Sequence, residues 1–161
     1  MSTTLVLEHT ACQKIAQHLA QWLADTYVLY LKTQNFHWNV VDPRFHSLHE
    51  MFEEQYKDLA EAVDEIAERI RILRIRTPAS MKEFLEITTL QENEGPLSAN
   101  DMIQQLLHDH ETIANYLRPK ISVIQKLGDE GSADLLIERL RVHEKTAWML
   151  RSHFTQAAGS H

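Results

Sequence analysis

Cysteine, glycine and proline are scarce in this 161-residue chain, which contains one cysteine and four residues each of glycine and proline. The single cysteine, Cys12, excludes an internal disulfide and fits a reducing compartment. Glycine and proline interrupt helices, so their scarcity beside plentiful Leu, Ala, Glu, Ile and Gln indicates a mostly helical protein. A chain of this length can bury a substantial core as one domain.

Long apolar runs are also lacking. The nearest candidate, residues 15–31, is interrupted by polar residues such as Gln17, Gln21 and Asp25, which argues against a membrane-spanning helix. The first thirteen residues contain no Lys or Arg and too short an apolar stretch for a secretory signal. We therefore expect a cytoplasmic protein without a membrane partner.

Positive charge is in short supply, because 16 Lys and Arg against 23 Asp and Glu give a formal net charge of −7. A general nucleic-acid-binding surface is normally basic, so this balance argues against one. Acidity favours cationic partners or simply solubility. The ends of the chain carry no basic residues, since Lys14 is the first and Arg151 is the last.

Apolar periodicity predicts four long helices in one domain, residues 1–161, with short tails at 1–9 and 158–161. The predicted helices span residues 10–36, 43–73, 98–125 and 132–157. The links between the first two and the last two helices are short, whereas the middle link exceeds twenty residues and can cross the length of a bundle. The predicted fold class is therefore all-α, a ferritin-like four-helix bundle with a long crossover between its second and third helices.

Local signals mark several helix ends. Asp42 is the predicted N-cap of the second helix, with Pro43 at its first position. Ser80 is expected to cap a short helix at 81–87 within the crossover, and a capping-box-like run from Ser98 opens the third helix. Pro119 predicts a kink or an early end in that helix.

Two pairs of metal-ligand side chains stand at i,i+4 spacing on the second helix, His49 with Glu53 and Asp64 with Glu68, and His37 lies twelve residues before His49. Residues four apart share a helix face, so each pair can bind one metal ion. Mixed imidazole and carboxylate ligands suit iron, manganese or zinc. The alternative is a solvated acidic face, because Glu50, Lys57 and Glu61 occupy or adjoin the same arc.

Distance along the helix decides what kind of site this can be. Positions 49 and 64 are about 22 Å apart on a helix, too far for both pairs to bind one metal centre from a single chain. Two chains packed antiparallel would bring one pair beside the other, giving two sites per two-fold dimer. The within-bundle di-iron pattern would need Glu-x-x-His pairs, and the sequence contains none.

Five stretches, in order and covering nearly the whole chain, resemble the Dps proteins, or miniferritins. They are Asn35-Phe36-His37-Trp38-Asn39-Val40, Phe45-x-x-Leu48-His49-Glu50, Asp64-x-Ile66-Ala67-Glu68-Arg69, Phe84-Leu85-Glu86, and His143-Glu144-Lys145-Thr146-Ala147-Trp148-Met149-Leu150-Arg151. The resemblance implies a hollow homododecamer of ferritin-like subunits, built from two-fold dimers. It also implies oxidation of Fe(II), usually by hydrogen peroxide rather than dioxygen, and storage of the ferric mineral inside.

The same resemblance assigns the ligands. His37, His49 and Glu53 of one chain, with Asp64 and Glu68 of its partner, are expected to bind two irons per intersubunit site, and Glu68 is the expected bridge. Glu53 replaces an acid that is Asp in some relatives, which could alter the metal–metal geometry. Zinc or manganese could substitute for iron.

Further roles follow from similar proteins with less support from the residues. Trp38 matches a residue thought to quench radicals, although an interface hydrophobe is an equal reading. Asp129, Glu130 and Asp134 match acids that line a three-fold pore, although such acids also suit a helix N-terminus. Six further histidines are assigned other roles. His46 is an auxiliary metal contact at most, and His108 and His110 cannot chelate jointly because they are two residues apart on a helix. His143 is expected to be a packing or hydrogen-bonding residue, and His153 and His161 are expected to face solvent.

Three functions remain open at this point. The leading one is a ferroxidase and iron-storage miniferritin that protects against oxidative damage. A nucleoid protein that binds and protects DNA, with secondary iron chemistry, is the alternative, and a helical assembly whose acids only solvate an interface is the third. A conventional large ferritin is disfavoured because the Glu-x-x-His pairs and a fifth C-terminal helix are missing. Arg74 stands near where relatives often have glycine, and its role is not evident from the sequence.

The lack of basic tails predicts that the purified protein does not bind duplex DNA appreciably at physiological salt. Twelve chains would carry a formal charge of about −84, which repels phosphate within a Debye length. Arg71, Arg74 and Arg76 are the residual candidates for weak binding. In a gel-shift assay we expect DNA to migrate freely, and DNA retention that resists added salt would contradict the prediction.

Overall fold

The computed structural model describes residues 7–154, and all of its regular secondary structure in that range is helical. The five helices are α1 (His9–Asn39), α2 (Phe45–Ile72), α3 (Met81–Ile87), α4 (Ala99–Lys126) and α5 (Glu130–Arg151). This confirms the predicted all-α, ferritin-like bundle, with α3 in the long crossover between α2 and α4. No helix within residues 7–154 is both long and apolar enough to cross a membrane. The predicted tail at 158–161 lies outside the described residues.

Two helical hairpins form the bundle: α1 packs along α2, and α4 packs along α5. The long helix α1 also contacts α3 and α4, which joins the hairpins around a continuous apolar core. The largest fully buried side chains are Trp22, Phe36 and Phe52. Complete burial of one such side chain contributes about 2 kcal/mol or more, so the core is sufficient to fix the helix positions without a disulfide.

The start of α2 differs from the prediction. The helix begins at Phe45 rather than Pro43, and Asp42 is not its N-cap. The Asp42 carboxylate instead accepts the backbone N–H of Arg44 at 2.8 Å and also binds the Arg44 guanidinium. Asp42 therefore closes a turn through the N–H two residues later in the chain. Its carboxylate cannot also reach the free N–H groups of the first turn of α2, so the turn replaces the cap.

The caps of the two following helices are as predicted. Ser80 accepts the backbone N–H of Glu83 at 3.1 Å, and α3 occupies the predicted residues 81–87. Ser98 accepts the backbone N–H of Asp101, also at 3.1 Å, and α4 begins at the next residue. Each hydroxyl satisfies a donor that the first helical turn leaves free.

The ends of α4 and α5 differ from parts of the prediction. Of the two alternatives predicted for Pro119, a kink or an early end, the early end is excluded, because α4 continues to Lys126. The carbonyl that loses its donor belongs to Asn115, which is exposed and can be hydrated. The last helix begins at Glu130, not at 132, because Asp129 caps it by accepting the Ser132 N–H. It ends at Arg151, short of the predicted 157, and residues 155–157 lie outside the described range.

Arg74 accounts for the C-terminus of α2. Its φ of 70° is the only positive φ among the non-glycine residues between 7 and 154. The Arg74 N–H donates to the Arg71 carbonyl and the Ile75 N–H donates to the Ile70 carbonyl, which is the pattern of a Schellman motif. Glycine is the usual residue at that position, so an L side chain there is strained.

We predict that Arg74→Gly stabilises the protein by about 1 kcal/mol, because glycine adopts the left-handed conformation without a Cβ clash. Urea unfolding at fixed protein concentration measures the change. Arg71→Gly is the matched control, since it places the same substitution inside α2 and should destabilise by about 1 kcal/mol. Equal effects of the two substitutions would show that backbone strain at position 74 is not the cause.

Candidate metal centre

His37 and His49 face each other across the junction of α1 and α2. His37 lies in the last turns of α1 and His49 in the second turn of α2, and only five residues separate the helices. The two imidazole rings stack with their centroids 3.8 Å apart and an interplanar angle of 12°. The hairpin geometry therefore brings together two residues that are twelve positions apart in the sequence.

A reciprocal pair of hydrogen bonds fixes both rings. The Nδ1 of His37 lies 2.8 Å from the His49 carbonyl oxygen, and the Nδ1 of His49 lies 2.8 Å from the His37 carbonyl oxygen. A carbonyl can only accept, so each Nδ1 carries the proton and each Nε2 keeps its lone pair. This is how metal-binding histidines are held in the ligating tautomer. In the neutral rings both Nε2 atoms therefore keep the lone pair that a metal ion requires.

Glu53 completes the cluster that this chain supplies. Its Oε1 lies 3.8 Å from the Nε2 of His37, while its Oε2 accepts a hydrogen bond from Lys57 at 3.1 Å. The Lys57 ammonium, through that hydrogen bond, is the main cause of the lowered pKa of the Glu53 carboxyl group. The Oε1 atom of Glu53 thus lies near the Nε2 of His37, and its Oε2 atom is already bound by the Lys57 ammonium.

Aromatic side chains surround the imidazoles. The Phe45 ring stacks on His49 with centroids 5.0 Å apart, and the Tyr56 ring meets His37 edge-on at 5.1 Å. His37 is buried, whereas Trp38, beside it, is 61% exposed. The exposure of Trp38 fits either earlier reading, an interface hydrophobe or a radical quencher, and both stay predictions.

Asp64 and Glu68 are not brought to this cluster. Both are exposed on α2, where Asp64 follows His49 and Glu68 follows Glu53 by about four turns, or about 22 Å along the helix. Between residues 7 and 154 there is no group of three or more His, Cys, Asp or Glu side chains placed to hold a metal. A single chain therefore presents two incomplete half-sites on one helix, which keeps the intersubunit site a prediction.

The residue after Glu68 anchors α2 to the start of α5. The Arg69 guanidinium donates to Asp129 at 2.6 Å and to the Ser132 hydroxyl at 2.9 Å. A Cβ at Gly131 would lie only 2.7 Å from the same guanidinium, so a larger residue there would displace the Arg69 side chain from these contacts. These contacts fix the orientation of α2 at the Glu68 end.

The three predicted pore acids have different surroundings. Asp129 is buried, and its carboxylate is engaged by Arg69 and by the N-terminus of α5, including a short hydrogen bond from the Ser132 hydroxyl. Glu130 and Asp134 are exposed in the first turns of α5. The helix-capping alternative therefore describes Asp129, and the pore prediction now concerns Glu130 and Asp134.

The other histidines divide by burial. His46 is exposed and its Nε2 lies 3.0 Å from Glu50, while His108 and His153 are also exposed. His143 is buried and hydrogen-bonded, as predicted, and its partner is His110. The sequence did not indicate that pairing, because the two positions are 33 residues apart on different helices. His161 lies outside the described residues.

Comparison with known proteins agrees with this geometry. The Ferritin-like domain family matches residues 16–159. DNA protection during starvation protein 2 of Bacillus anthracis is 39% identical over 144 residues, which cover 89% of this chain and 99% of that protein. A low temperature-induced protein of Nostoc sp. is 43% identical over 142 residues, covering 87% and 79%.

Among solved structures, the Dps protein of Vibrio cholerae O1 aligns with a TM-score of 0.89 at 32% identity. The alignment covers 92% of this chain and 94% of that one, and that protein is described as a member of the ferritin-like diiron-carboxylate superfamily. The chain belongs to the Dps family. The resemblance seen in the sequence motifs is thereby confirmed for this Dps protein, at the level of family and fold.

Lys57 is predicted to weaken metal binding at this Dps site, because its ammonium competes for Glu53. Lys57→Met should strengthen the binding of Co(II), a stand-in for Fe(II), by about two-fold at low salt, as expected for an exposed i,i+4 ion pair. Titration calorimetry of the assembled protein measures it. Lys120→Met is the control, since Lys120 lies over the Tyr116 ring on α4, away from the site. Weaker binding in Lys57→Met would mean that the lysine supports the ligand instead.

Proposed function

We propose that this Dps protein is a ferroxidase that oxidises Fe(II), with hydrogen peroxide as the preferred oxidant, and stores the ferric product in a hollow shell. The observation that carries the proposal is the reciprocal Nδ1–carbonyl bonding of His37 and His49. It leaves the Nε2 of both neutral rings free of hydrogen bonds to those carbonyls, and the Nε2 of His37 lies 3.8 Å from the Glu53 carboxylate, so imidazole and carboxylate ligands suited to iron stand together.

The remaining ligands are proposed to come from a second chain. In an antiparallel α2–α2 dimer, Asp64 and Glu68 of the partner would stand opposite His49 and Glu53, giving two sites related by the two-fold axis. Each site would bind two Fe(II) ions, with Glu68 as the bridging carboxylate. The exposure of Asp64 and Glu68 on the isolated chain supports this arrangement, and six such dimers would form the dodecamer.

Pairing the substrate ions determines the redox chemistry. Two Fe(II) ions each lose one electron, and one hydrogen peroxide accepts both as its O–O bond breaks, giving two Fe(III) and two hydroxide ions. A single Fe(II) supplies only one electron, which would release a hydroxyl radical. The protein's contribution is therefore to hold two ferrous ions at one site and to supply neutral imidazoles and ionised carboxylates.

Entry and protection are further parts of the proposal. Three copies of Glu130 and Asp134 around a three-fold axis would attract cations into the shell. Removal of Fe(II) and peroxide together would limit oxidative damage, in keeping with the starvation and low-temperature names of the relatives. Zinc or manganese could occupy the same ligands, and a cytoplasmic location is the expected setting. DNA protection, the named role of the Bacillus anthracis relative, is the second candidate, which the gel shift tests.

Stopped-flow oxidation of Fe(II) by hydrogen peroxide tests the site. We predict that Asp64→Asn lowers the rate of stoichiometric oxidation at least ten-fold, because an amide oxygen binds iron more weakly than a carboxylate does. Glu65→Gln is the matched control, since it removes a neighbouring exposed carboxylate that points elsewhere on α2. Light scattering must show equal assembly size for all three proteins.

Equal rates in the wild type and in an intact Asp64→Asn shell would refute the proposed site. Loss of activity in Glu65→Gln as well would show that general negative charge, and not a specific ligand, attracts the iron. Absence of oxidation in the wild type would refute the function itself.

A further inference from the structure

A second pair of imidazoles lies in the core, away from the candidate metal centre. His110 on α4 and His143 on α5 are 2% and 0% exposed, and their Nδ1 atoms lie 2.9 Å apart. Their Nε2 atoms have no hydrogen-bond partner in the described part of the chain. Nothing in the proposed iron chemistry uses this pair. Burying its unpaired Nε2 atoms costs stability, and a charge on either ring would raise that cost.

Proton positions make the contact conditional on charge. One ring donates its Nδ1–H to the bare Nδ1 of the other, so the bond exists only while the acceptor nitrogen is unprotonated. A proton added there would place two N–H groups head to head at 2.9 Å. A proton added at an enclosed Nε2 would create a charge without a partner. Neither ring can gain a proton in the closed bundle without cost.

The charged groups near the pair do not offset the cost of protonating either ring, because they are paired with each other. Arg139, one turn before His143 on α5, donates two 2.9 Å hydrogen bonds to Asp58 on α2, which engages both carboxylate oxygens. On α1, Lys32 lies 2.9 Å from Asp109, the neighbour of His110. Burial and the Arg139 charge lower the pKa of His110 to about 3, and burial, His110 and Arg139 together lower the pKa of His143 well below its ordinary value.

We propose that His110 and His143 form an acid-sensitive lock between α4 and α5, closed while both rings are neutral and opened when they take up protons. The pair joins the two helices of one hairpin, and α5 also carries the Arg69 and Arg139 contacts to α2. Opening the lock therefore weakens the packing of α4 on α5, and with it the contacts of that hairpin with α2.

The sign of the pH effect follows from the lowered folded-state pKa values. The stabilisation is complete above the ordinary histidine pKa of about 6.5 and is lost as the pH falls from there toward the folded-state values. Two histidines that bind protons only on unfolding raise the unfolding equilibrium constant about 30-fold between pH 6.5 and pH 5.5. Most carboxylates titrate below that window.

Urea unfolding of the full chain at pH 6.5 and pH 5.5 tests the lock. We expect a rise of about 30-fold or more in the wild type. The double variant His110→Leu/His143→Leu replaces both hydrogen-bonding partners by apolar groups and should keep only the smaller rise due to His18, whose pKa is lowered by partial burial and by Lys120. The control His108→Gln/His153→Gln removes two exposed imidazoles and should behave as the wild type. A double variant that keeps the rise, or a control that loses it, overturns the proposal.

Hydrogen exchange of the wild-type protein decides the question if the double variant does not fold. After correction for the intrinsic pH dependence of exchange, amides flanking residues 110 and 143 should lose protection by about 30-fold at pH 5.5. Unchanged protection in α4 and α5 over that interval would overturn the proposal.

Discussion

The rigidity of α2 is the constraint on which the rest of this Dps protein depends. A 28-residue helix with its backbone bonds intact cannot bend His49 and Glu53 toward Asp64 and Glu68, about 22 Å further along. Every contact that orients α2 therefore acts on both half-sites at once. The α1 hairpin holds one end, and the Arg69–Asp129 pair and the Arg139–Asp58 pair hold the rest against α5. The proposed metal centre then requires a second chain.

The metal centre and the bundle core use histidine in opposite ways. At the α1–α2 junction, each Nδ1–H donates to a carbonyl oxygen, and the Nε2 of His37 lies beside the Glu53 carboxylate. Between α4 and α5, the Nδ1 atoms satisfy each other, and the remaining nitrogens are enclosed near a guanidinium. The first environment favours a cation at the ring nitrogens, and the second excludes one. Under the proposed function, the same side chain serves ligation in one place and packing in the other.

Local features were predictable from the sequence. The helix count, the long crossover, α3 with its Ser80 cap and the Ser98 cap depend on periodicity and on single hydroxyl groups. The error at Asp42 arose because two local rules compete there, and its carboxylate closes a turn instead of capping α2. At Pro119 the helix continues, because the carbonyl that is left without a donor lies at the surface. The separation of the two proposed ligand pairs along α2 was also predictable, because it follows from helix geometry alone. The Nδ1–carbonyl bonds and the His110–His143 pair were not, since they depend on how one helix is aligned against another.

The stacked imidazoles of His37 and His49 imply that the two halves of each proposed site become ordered at different stages. Their rotameric freedom is lost when the hairpin folds, so this half of the proposed site is ordered before any ion arrives. Asp64 and Glu68 are exposed on the single chain and would become ordered only when a second α2 packs against them. The entropic cost of building the site would then be divided between two events, folding for the imidazoles and dimerisation for the carboxylates.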